Sequence, residues 1–365
     1  MKKTFVEFCD RLFVRGVGLG LLLLLAGCAS APKTPKDFVF FPPPPDAPRL
    51  QFLTGFGMES DLRAKGGFSD FVLGQERMVR PIWKPYGVSA RRGVLYVADT
   101  QAANVAIVDL IKSRIRYLKP AGPGALKLPI AAVVDDASNV FVSDSSRGQV
   151  LIFDAQENLR GTIGQPSELK PAGLQLVGNK LYVCDIKNHR VGVYDAKTWE
   201  LLQTYPTGAA AGTNAGPGHL FSPTNVAVDQ NGRVYVSDSA SFMVQVYEAD
   251  GTHVRTIGDL GLKPGRFALP KGIGVDRLGR TYVVDAATAV VQMFDPEGQL
   301  LMYFGEPQTS GRGALYLPAG LCVDYDNVDL FQKYAAPGQK IEFLIHVVNQ
   351  AGSQKVGTYG FLKKP

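Results

Sequence analysis

Residues 221–248 decide the fold, and they read FSPTNVAVDQNGRVYVSDSASFMVQVYE. The middle of this segment, Val234–Val236 (VYV), is a run of β-branched and aromatic residues, which favours a β-strand. Turn-forming residues flank the run, with Gly232 before it and Asp238 after it. The run has no polar alternation, so both faces of the strand are predicted to be buried. The segment therefore predicts short strands joined by tight turns.

The same unit recurs along the chain with a constant internal spacing. An aspartate closes the second strand in five copies: Asp99, Asp144, Asp185, Asp238 and Asp285. Ten residues later each copy has another acid: Asp109, Asp154, Asp195, Glu248 and Asp295. A proline precedes each first strand: Pro85, Pro129, Pro171, Pro223 and Pro270. The closing aspartates stand 41 to 53 residues apart, and this period with about four strands per unit predicts a β-propeller.

A sixth and degenerate unit follows the five regular ones. Leu317–Asp324 fits a first strand, and Val328–Phe331 is predicted as the second, with Lys333 where the closing aspartate would stand. Arg49–Gly57 and Lys355–Phe361 both look like outer strands. Terminal repeats are commonly atypical because they close the ring. The sequence therefore predicts an all-β, six-bladed β-propeller, and it leaves open which segment completes the last blade and whether that blade has a fifth strand.

The repeat resembles the NHL-repeat family. The resemblance lies in the patterns Pro-x-Gly-x-x-Val-Asp, Val-Tyr-Val-x-Asp and Asn-x-x-Val-x-Val-Phe-Asp, and Asp185–Asp195 (DIKNHRVGVYD) is a near copy of the last two joined. It covers roughly residues 48 to 361. It implies a six-bladed propeller of NHL-type repeats. It implies little about activity, because one fold serves many functions.

The N-terminus is predicted to be an export signal. The apolar run Val17–Leu25 follows a basic start and is too short to span a membrane comfortably. The next residues complete the sequence LAGC at 25–28, which resembles the lipobox of bacterial lipoproteins. The resemblance implies that residues 1–27 are removed and that Cys28 carries lipid. The alternative is an ordinary signal peptide that happens to contain a cysteine.

The residues after the lipobox predict a location and a tether. Ala29 rather than aspartate follows the cysteine, which in Gram-negative lipoproteins implies transfer to the outer membrane. The protein is therefore expected at the periplasmic face of the outer membrane or at the cell surface. Residues 28–47, with the run Pro42–Pro45, are predicted to be a semi-rigid membrane tether, and residues 48–365 the propeller. The aromatic segment Phe38–Phe41 either packs on the propeller or lies at the lipid surface.

The charge pattern disfavours a nucleic-acid partner. The formal net charge is +6, of which the first 27 residues contribute +2 (four Lys or Arg against two acids), leaving +4. These charges are scattered, and no run of basic residues alternates with aromatic ones. We therefore expect no binding to nucleic acid.

Neither a metal nor a cofactor is predicted. The recurring acids occur at one place in every unit, so they are expected to accept hydrogen bonds from turn amides. The four histidines share no short ligand spacing and are predicted to be scattered surface or loop residues: His189, His219, His253 and His346. Cys184 and Cys322 are predicted to be buried and too far apart for a disulfide.

Candidate binding residues come from the loops and from the positions after the prolines. Those positions should surround one mouth of the channel: Tyr86, Ile130, Ala172, Thr224, Lys271 and Ala319. Exposed Trp, Tyr and Arg are residue types that contribute strongly to interfaces. The predicted ligand- or partner-binding set is therefore Trp83, Tyr86, Arg147, His189, Arg190, Thr224 and Lys271.

Three hypotheses for function remain. The first is a membrane-anchored scaffold, not an enzyme, that presents its loop faces to a protein partner. A subset of NHL-repeat lipoproteins shares the segments Pro48–Leu53 and Phe331–Tyr334, and this resemblance implies a multihaem cytochrome or another envelope complex as the partner. The second is a metal-dependent lactonase or lyase acting in the channel. The third is a sugar- or cell-wall-binding module with aromatic platforms on one face.

Overall fold

A computed structural model describes residues 38–62, 80–120, 122–207, 216–305 and 311–363. Within these residues the strands form six antiparallel sheets, five with four strands and one with five. The first strands of the sheets pack side by side around a central channel, and that of the last sheet packs against that of the first. The ring is thus closed, and the predicted all-β, six-bladed β-propeller is confirmed.

Each of the first three blades takes four consecutive strands, numbered from the channel outward. The chain starts with β1 (Val39–Phe41), β2 (Leu50–Phe56) and the short helix α1 (Glu59–Leu62). Blade 1 then contains β3 (Pro85–Arg91), β4 (Val94–Asp99), β5 (Asn104–Asp109) and β6 (Arg114–Tyr117). A 3-10 turn (Gly122–Gly124) leads to blade 2, with β7 (Pro129–Val134), β8 (Val140–Asp144), β9 (Gln149–Phe153) and β10 (Leu159–Ile163). Blade 3 contains β11 (Pro171–Val177), β12 (Lys180–Asp185), β13 (Arg190–Asp195) and β14 (Leu201–Tyr205).

The next two blades repeat this arrangement, and the last one departs from it. Blade 4 contains β15 (Pro223–Val228), β16 (Val234–Asp238), β17 (Met243–Tyr247) and β18 (His253–Ile257). Blade 5 contains β19 (Pro270–Val275), β20 (Thr281–Asp285), β21 (Val290–Phe294) and β22 (Leu300–Phe304). Blade 6 starts with β23 (Pro318–Asp324), followed by helix α2 (Val328–Phe331), a 3-10 turn (Gln332–Tyr334), β24 (Ile341–Asn349) and β25 (Val356–Leu362).

The hydrophobic core consists of layers between neighbouring blades. One layer joins blades 1 and 2, where Val105 and Ile107 pack against Val142, Leu151 and Phe153. Similar buried clusters join every other pair of neighbours, including blades 6 and 1. The middle strands are therefore buried on both faces, as their unbroken apolar runs predict.

Blade 6 is completed by strands from both ends of the chain. Its strand order from the channel outward is β23-β24-β25-β2-β1. β25 is the third strand, β2 is the fourth, and β1 is a fifth strand that the other blades lack. Pairing of β2 with β25 joins the N-terminal and C-terminal parts of the described chain. Both terminal segments therefore complete the last blade, which does have a fifth strand.

The predicted second strand of blade 6, residues 328–331, is wrong. This segment forms helix α2, and the second strand is β24 instead. The alternation in Val-Asp-Leu-Phe fits a strand, but Asp324 accepts the backbone amides of Asp326 and Asn327 and turns the chain before the segment begins. Phe331 then packs with Leu53 and Leu344 over the edge of the blade. Local hydrogen bonds and tertiary packing thus override the alternating pattern.

The propeller begins earlier than the predicted boundary at Pro48. Val39–Phe41, within the segment predicted as a tether, pairs with β2, and Phe41 is buried. The Phe41 ring lies 5.9 Å from that of Phe304 and 6.1 Å from that of Tyr359, measured between centroids. The predicted signal peptide, Cys28 and residues up to 37 lie outside the described residues. In the part of the chain that is described, no helix is long and apolar enough to cross a membrane.

The glycine two residues after the proline lets neighbouring inner strands approach each other. A Cβ atom on Gly272 would lie 2.6 Å from the carbonyl oxygen of Ala319 in the next blade. On Gly320 it would lie 2.5 Å from the carbonyl oxygen of Tyr86. The Pro-x-Gly pattern of the repeat is thus explained by backbone contact between blades.

Candidate functional site

The closing aspartates tie the loops to the blades. Asp99 is fully buried, and its carboxylate accepts the amide of Trp83 at 2.7 Å, that of Lys84 at 3.0 Å and the hydroxyl of Tyr117 at 3.1 Å. It also accepts two amides of the turn that follows it. The same pattern recurs at Asp144, Asp185, Asp238 and Asp285. The predicted structural role of these acids is confirmed, and their oxygens are occupied by the protein itself.

Asn349 takes this position in blade 6. It pairs with Pro318 as the closing aspartates pair with their prolines, and its Oδ1 accepts the amide of Tyr316 at 3.1 Å. Sequence reasoning looked for this residue at Lys333, which lies in the 3-10 turn instead. The mostly apolar run Ile341–Val348, which Asn349 ends, is the sequence feature that could have identified this strand and its closing residue.

The second set of recurring acids fastens the turns between third and fourth strands. Asp109 accepts the amides of Ile111 and Lys112, and Asp195 accepts those of Lys197 and Thr198. Backbone hydrogen bonds, above all that from Thr198, hold the pKa of Asp195 below its ordinary value. Among the described residues, no three His, Cys, Asp or Glu side chains are grouped so that they could hold a metal ion.

All seven predicted binding residues lie at one end of the propeller, which we call the proline end. It comprises the two residues before each inner-strand proline and the turns 100–103, 145–148, 186–189, 239–242, 286–289 and 350–355, together with the strand residues next to them. Trp83 is 52% exposed there. Arg147 donates from Nη1 to the carbonyl oxygens of Pro123 and Ala125 at 2.7 and 2.8 Å, so its guanidinium holds a loop.

Three further members of the set have partners within the protein. His189 Nδ1 makes a short hydrogen bond with the carbonyl oxygen of Phe221, and the two rings stack with centroids 5.3 Å apart. Arg190 Nε lies 3.7 Å from Oδ2 of the closing aspartate Asp185. Thr224 is buried, and its hydroxyl lies 2.9 Å from that of Ser239. These three residues support the proline end structurally.

Tyr86 and Lys271 meet across blade 6 at the channel mouth. Lys271 Nζ lies 4.9 Å from the centroid of the Tyr86 ring, although one residue belongs to blade 5 and the other to blade 1. Burial, and secondarily the charge of Lys84, lowers the pKa of Lys271. Burial also raises the pKa of the Tyr86 hydroxyl. The two side chains can touch because the intervening residue of blade 6 is the small Ala319.

Cations outnumber acids at the proline end, although the loops that lead to the prolines also carry exposed acids: Glu168, whose carbonyl oxygen accepts Asn188 Nδ2, and Asp259, which pairs with Arg266. The loop segments that define the proline end carry six cations and no Asp or Glu: Lys84, Lys127, Arg147, Lys170, Lys187 and Lys355. Exposed apolar side chains lie among them, with Phe221 41% exposed and Leu317 47% exposed. This end of the propeller therefore offers a positive and partly apolar surface.

The channel itself contains a cavity of about 170 Å³. Its lining comes from all six inner strands and includes the polar side chains of Ser89, Arg91, Gln175 and Asn225, but no carboxylate or histidine. Asn225 Nδ2 has no hydrogen-bond partner within the described residues. The channel can therefore admit a small polar molecule, but its walls supply no ordinary general acid or base.

A buried polar network in blade 6 was missed by sequence reasoning. His346 Nε2 lies 3.0 Å from Asp324 Oδ2, and His346 Nδ1 lies 3.0 Å from the hydroxyl of Thr358. Asn327 donates to the same aspartate at 2.7 Å and accepts the amide of Gly93 from blade 1. The order Thr-His-Asp resembles a catalytic triad, but the side chains of His346 and Asp324 are 0% and 1% exposed, so no substrate can reach them.

The histidine prediction is thus corrected for His346, which is buried, whereas the other three histidines are at least partly exposed. His346 is buried in β24, and His253 lies on β18 with its Nε2 2.9 Å from Gln245 Oε1. His219 is exposed and His189 lies in a turn, as predicted. Cys184 and Cys322 are free cysteines, which confirms the expected absence of a disulfide between them. Burial raises the pKa of both thiols.

Comparisons with known proteins support the fold alone. No protein-family model matches the chain, and no curated protein matches it. The chain is structurally similar to virginiamycin B lyase from Staphylococcus aureus, with a TM-score of 0.51, 10% identity and coverage of 76% of this chain and 94% of that one. It is similar to a gluconolactonase from Xanthomonas campestris, with a TM-score of 0.56, 14% identity and coverage of 86% and 89%.

A third similar structure is a protein of unknown function from Bacteroides thetaiotaomicron, with a TM-score of 0.57 and 17% identity over 85% of this chain and 75% of that one. At such identities the similarity establishes the six-bladed propeller but transfers no activity.

Proposed function

We propose that this protein is a binding scaffold of the bacterial envelope whose proline end engages an acidic surface of a partner protein. The observation that carries the proposal is the composition of that end: its turns and the positions before its prolines join six cations with exposed apolar side chains, and exposed acids are fewer there. Complementary charge steers association and selects partners, and exposed aromatic residues supply affinity. We also infer that the blades are NHL-type repeats, on the motif residues quoted above.

The anchoring part of the proposal rests on the N-terminal sequence. Lipid on Cys28 would hold the scaffold at a membrane, at the periplasmic face of the outer membrane or at the cell surface. A rigid propeller suits such a role, because its loops are held by buried hydrogen bonds and lose little freedom on binding. A multihaem cytochrome or another envelope complex with an acidic face is the partner class that fits.

A lactonase or lyase activity is the second candidate, and the channel cavity is the observation that favours it. The cavity holds about 170 Å³ and is lined by polar groups such as Asn225 and Gln175. The lining offers no carboxylate or imidazole for proton transfer, and the carboxylates at the strand ends are bound by backbone amides. The residues present therefore fit a binding role better.

A sugar- or cell-wall-binding role is the third candidate. The exposed rings of Trp83 and Phe221 are the side chains that could serve as platforms. The Phe221 ring already stacks on His189, which leaves one of its faces for a ligand. This role would not require the ring of cations at the proline end.

Partner capture tests the scaffold proposal. Cells carrying the tagged full-length protein are cross-linked, and the products are identified by mass spectrometry. One variant combines Trp83→Ala with Lys84→Glu and Lys170→Glu at the proline end. A matched control combines Ile111→Ala with Lys112→Glu and Lys197→Glu at the opposite end. We expect an acidic envelope protein that is lost from the first variant and retained by the control.

Two outcomes would contradict the proposal. Equal capture by both variants would show that the proline end is not the binding surface. Absence of any partner, together with lactone hydrolysis by the purified protein, would favour the enzyme.

A further inference from the structure

Lys271 stands out among the cations because it is half-buried and unpaired. No carboxylate of a described residue lies within 4.0 Å of the Lys271 ammonium group. The ammonium lies instead over the face of the Tyr86 ring, 4.9 Å from its centroid. A cation–π contact attracts the ammonium but accepts none of its three hydrogen bonds in the way an oxygen does. A half-buried ammonium without an anion is unfavourable, so the site is electrostatically incomplete.

Lys84 adds a second positive charge to the same mouth. Its charge acts on Lys271 strongly enough to lower the pKa of that group, in addition to the effect of burial. The Lys84 side chain is exposed and is paired with no described carboxylate. The closing aspartate Asp99, which follows Lys84 in the same blade, forms no ion pair with either ammonium group, and its two oxygens accept five hydrogen bonds from amides and the Tyr117 hydroxyl.

The backbone that carries Lys271 is held in place before any ligand arrives. Ser237 Oγ donates to the carbonyl oxygen of Lys271 at 2.5 Å, and Ser239 Oγ donates to that of Pro270 at 2.5 Å. Both serines belong to the neighbouring blade 4 and its following turn. The amine is therefore presented from a rigid position, which reduces the entropic cost of binding.

We propose that Lys271, whose ammonium lies over the ring of Tyr86, forms with the nearby Lys84 a binding site for one compact oxyanion, a carboxylate or a phosphate group, at the proline-end mouth of the channel. The anion accepts hydrogen bonds from Lys271 and offsets the repulsion between the two ammonium groups. The site does not depend on the protein partner proposed above, because a free anion can occupy it. A carboxylate or phosphate of a larger ligand would present the same chemistry.

Titration with two free anions tests the site. The full-length protein in detergent, at low ionic strength, is titrated calorimetrically with inorganic phosphate and, separately, with acetate. We expect the wild type to bind at least one of them and its unfolding temperature to rise with anion concentration. Lys271→Gln should weaken binding at least about tenfold, since a hydrogen bond to a charged group is lost. The control Lys197→Gln, an exposed lysine at the opposite end, should bind like the wild type.

Anion-free unfolding provides a second and independent readout. Lys271→Gln should unfold at a higher temperature than the wild type in anion-free buffer, because an unpaired half-buried charge is removed, and Lys84→Gln should change less. Binding of phosphate alone or of acetate alone supports the site and identifies its chemistry. Binding of neither anion, or wild-type affinity in Lys271→Gln, would overturn it. Either failure leaves the partner-capture experiment unaffected, so the two proposals can fail separately.

Discussion

The two ends of the propeller are made from the same repeat but present opposite chemistry. At the proline end the closing aspartates turn inward onto backbone amides, and most of the cations in the turns around them form no ion pair with a described residue, apart from Arg190 beside Asp185. At the other end, which we call the turn end, the turns between first and second strands and between third and fourth strands keep several acids at the surface, although Asp276 and Asp324 are buried. There cations and acids pair: Arg91 and Arg92 with Asp136, Arg233 with Glu248, and Arg280 with Asp276.

This difference shows that a recurring acid has no single effect on surface charge. An aspartate whose oxygens are filled by buried amides contributes to stability and is hidden from a partner. An aspartate in an exposed turn remains available to neutralise a nearby cation. The turns of the proline end thus expose more cations than acids, although every regular blade places a buried carboxylate beneath them whose charge still acts on neighbours such as Lys355.

The largest expected effect comes from breaking the buried network at the turn end of blade 6. Asp324→Ala leaves His346 and Asn327 without their shared acceptor, and we expect a loss of about 4 kcal/mol in the free energy of unfolding. Urea denaturation of the wild type and the variant measures this loss. Asp326→Ala, an exposed neighbour, is the control and should be nearly neutral. A loss of less than about 1 kcal/mol for the first variant would show that the network is dispensable.

A direct contrast between the two classes of recurring acid comes next. Asp99→Ala removes an acceptor of five hydrogen bonds and should cost about 3 kcal/mol. Asp109→Ala, in the same blade but at the turn end, removes an acceptor of two turn amides and should cost about 1 kcal/mol. Chemical denaturation of both variants measures how much free energy of unfolding each one loses, and the two losses can then be compared. Equal losses would contradict the proposed difference between the ends.

The close approach of inner strands predicts a smaller loss. Gly272→Ala places a methyl group against the backbone of Ala319 and Gly320, and we expect a cost of about 2 kcal/mol. Gly216→Ala, where no atom lies within 4 Å, is the matched control and should leave the melting temperature unchanged. An unaffected Gly272→Ala protein would mean that the inner strands can separate without penalty.

The pH dependence of stability distinguishes the ends further. Burial tends to raise the pKa of Asp324, but the hydrogen bond and charge of His346, together with hydrogen bonds from Asn327 and the Asp326 amide, outweigh it, and the pKa lies below its ordinary value of 3.8. Because the folded-state pKa is lowered, the contribution is present above the unfolded value and is lost as the pH falls through the folded one. The advantage of wild type over Asp324→Asn should therefore be constant above about pH 5 and shrink as the pH falls through 3.8 and below it in urea titrations. A difference in the free energy of unfolding that does not change with pH would show that ionisation of Asp324 is not coupled to folding.

The smallest effect on stability is expected at the exposed surface of the proline end. Trp83→Ala removes a side chain that is 52% exposed, so the free energy of unfolding should change by about 0.5 kcal/mol or less. Capture of the partner should nevertheless fall sharply. A variant that keeps its partner but unfolds more easily would show that Trp83 serves the fold rather than binding.

Much of the fold was predictable because its signals are local. Pro85 and Asp99 stand 14 residues apart and pair across the first hairpin of blade 1, and the other regular blades repeat this with small changes. In blade 6 the first strand and the two terminal outer strands were predicted, but the second strand was not, because an inserted helix precedes it and Asn349 replaces the closing aspartate. A pattern search by fixed spacing cannot follow such an insertion.

The candidate site was predictable only in part. Tyr86 and Lys271 were both expected near a channel mouth because each follows an inner-strand proline. Their contact depends on the small Ala319 between them, on the curvature of the ring and on the rotamers of both side chains. The burial of His346 likewise depends on the packing of α2 against blade 6, which no local pattern encodes.

By itself the sequence determined the number of regular blades, the strand-turn pattern within each and the structural role of the recurring acids. These features depend on hydrogen bonds and side-chain alternation within a few dozen residues. Only the tertiary structure decided which termini complete blade 6, which charges remain unpaired at the proline end and which residues meet across the channel. Those features depend on distances between segments far apart in the chain, and such distances are set by the packing of whole blades against one another.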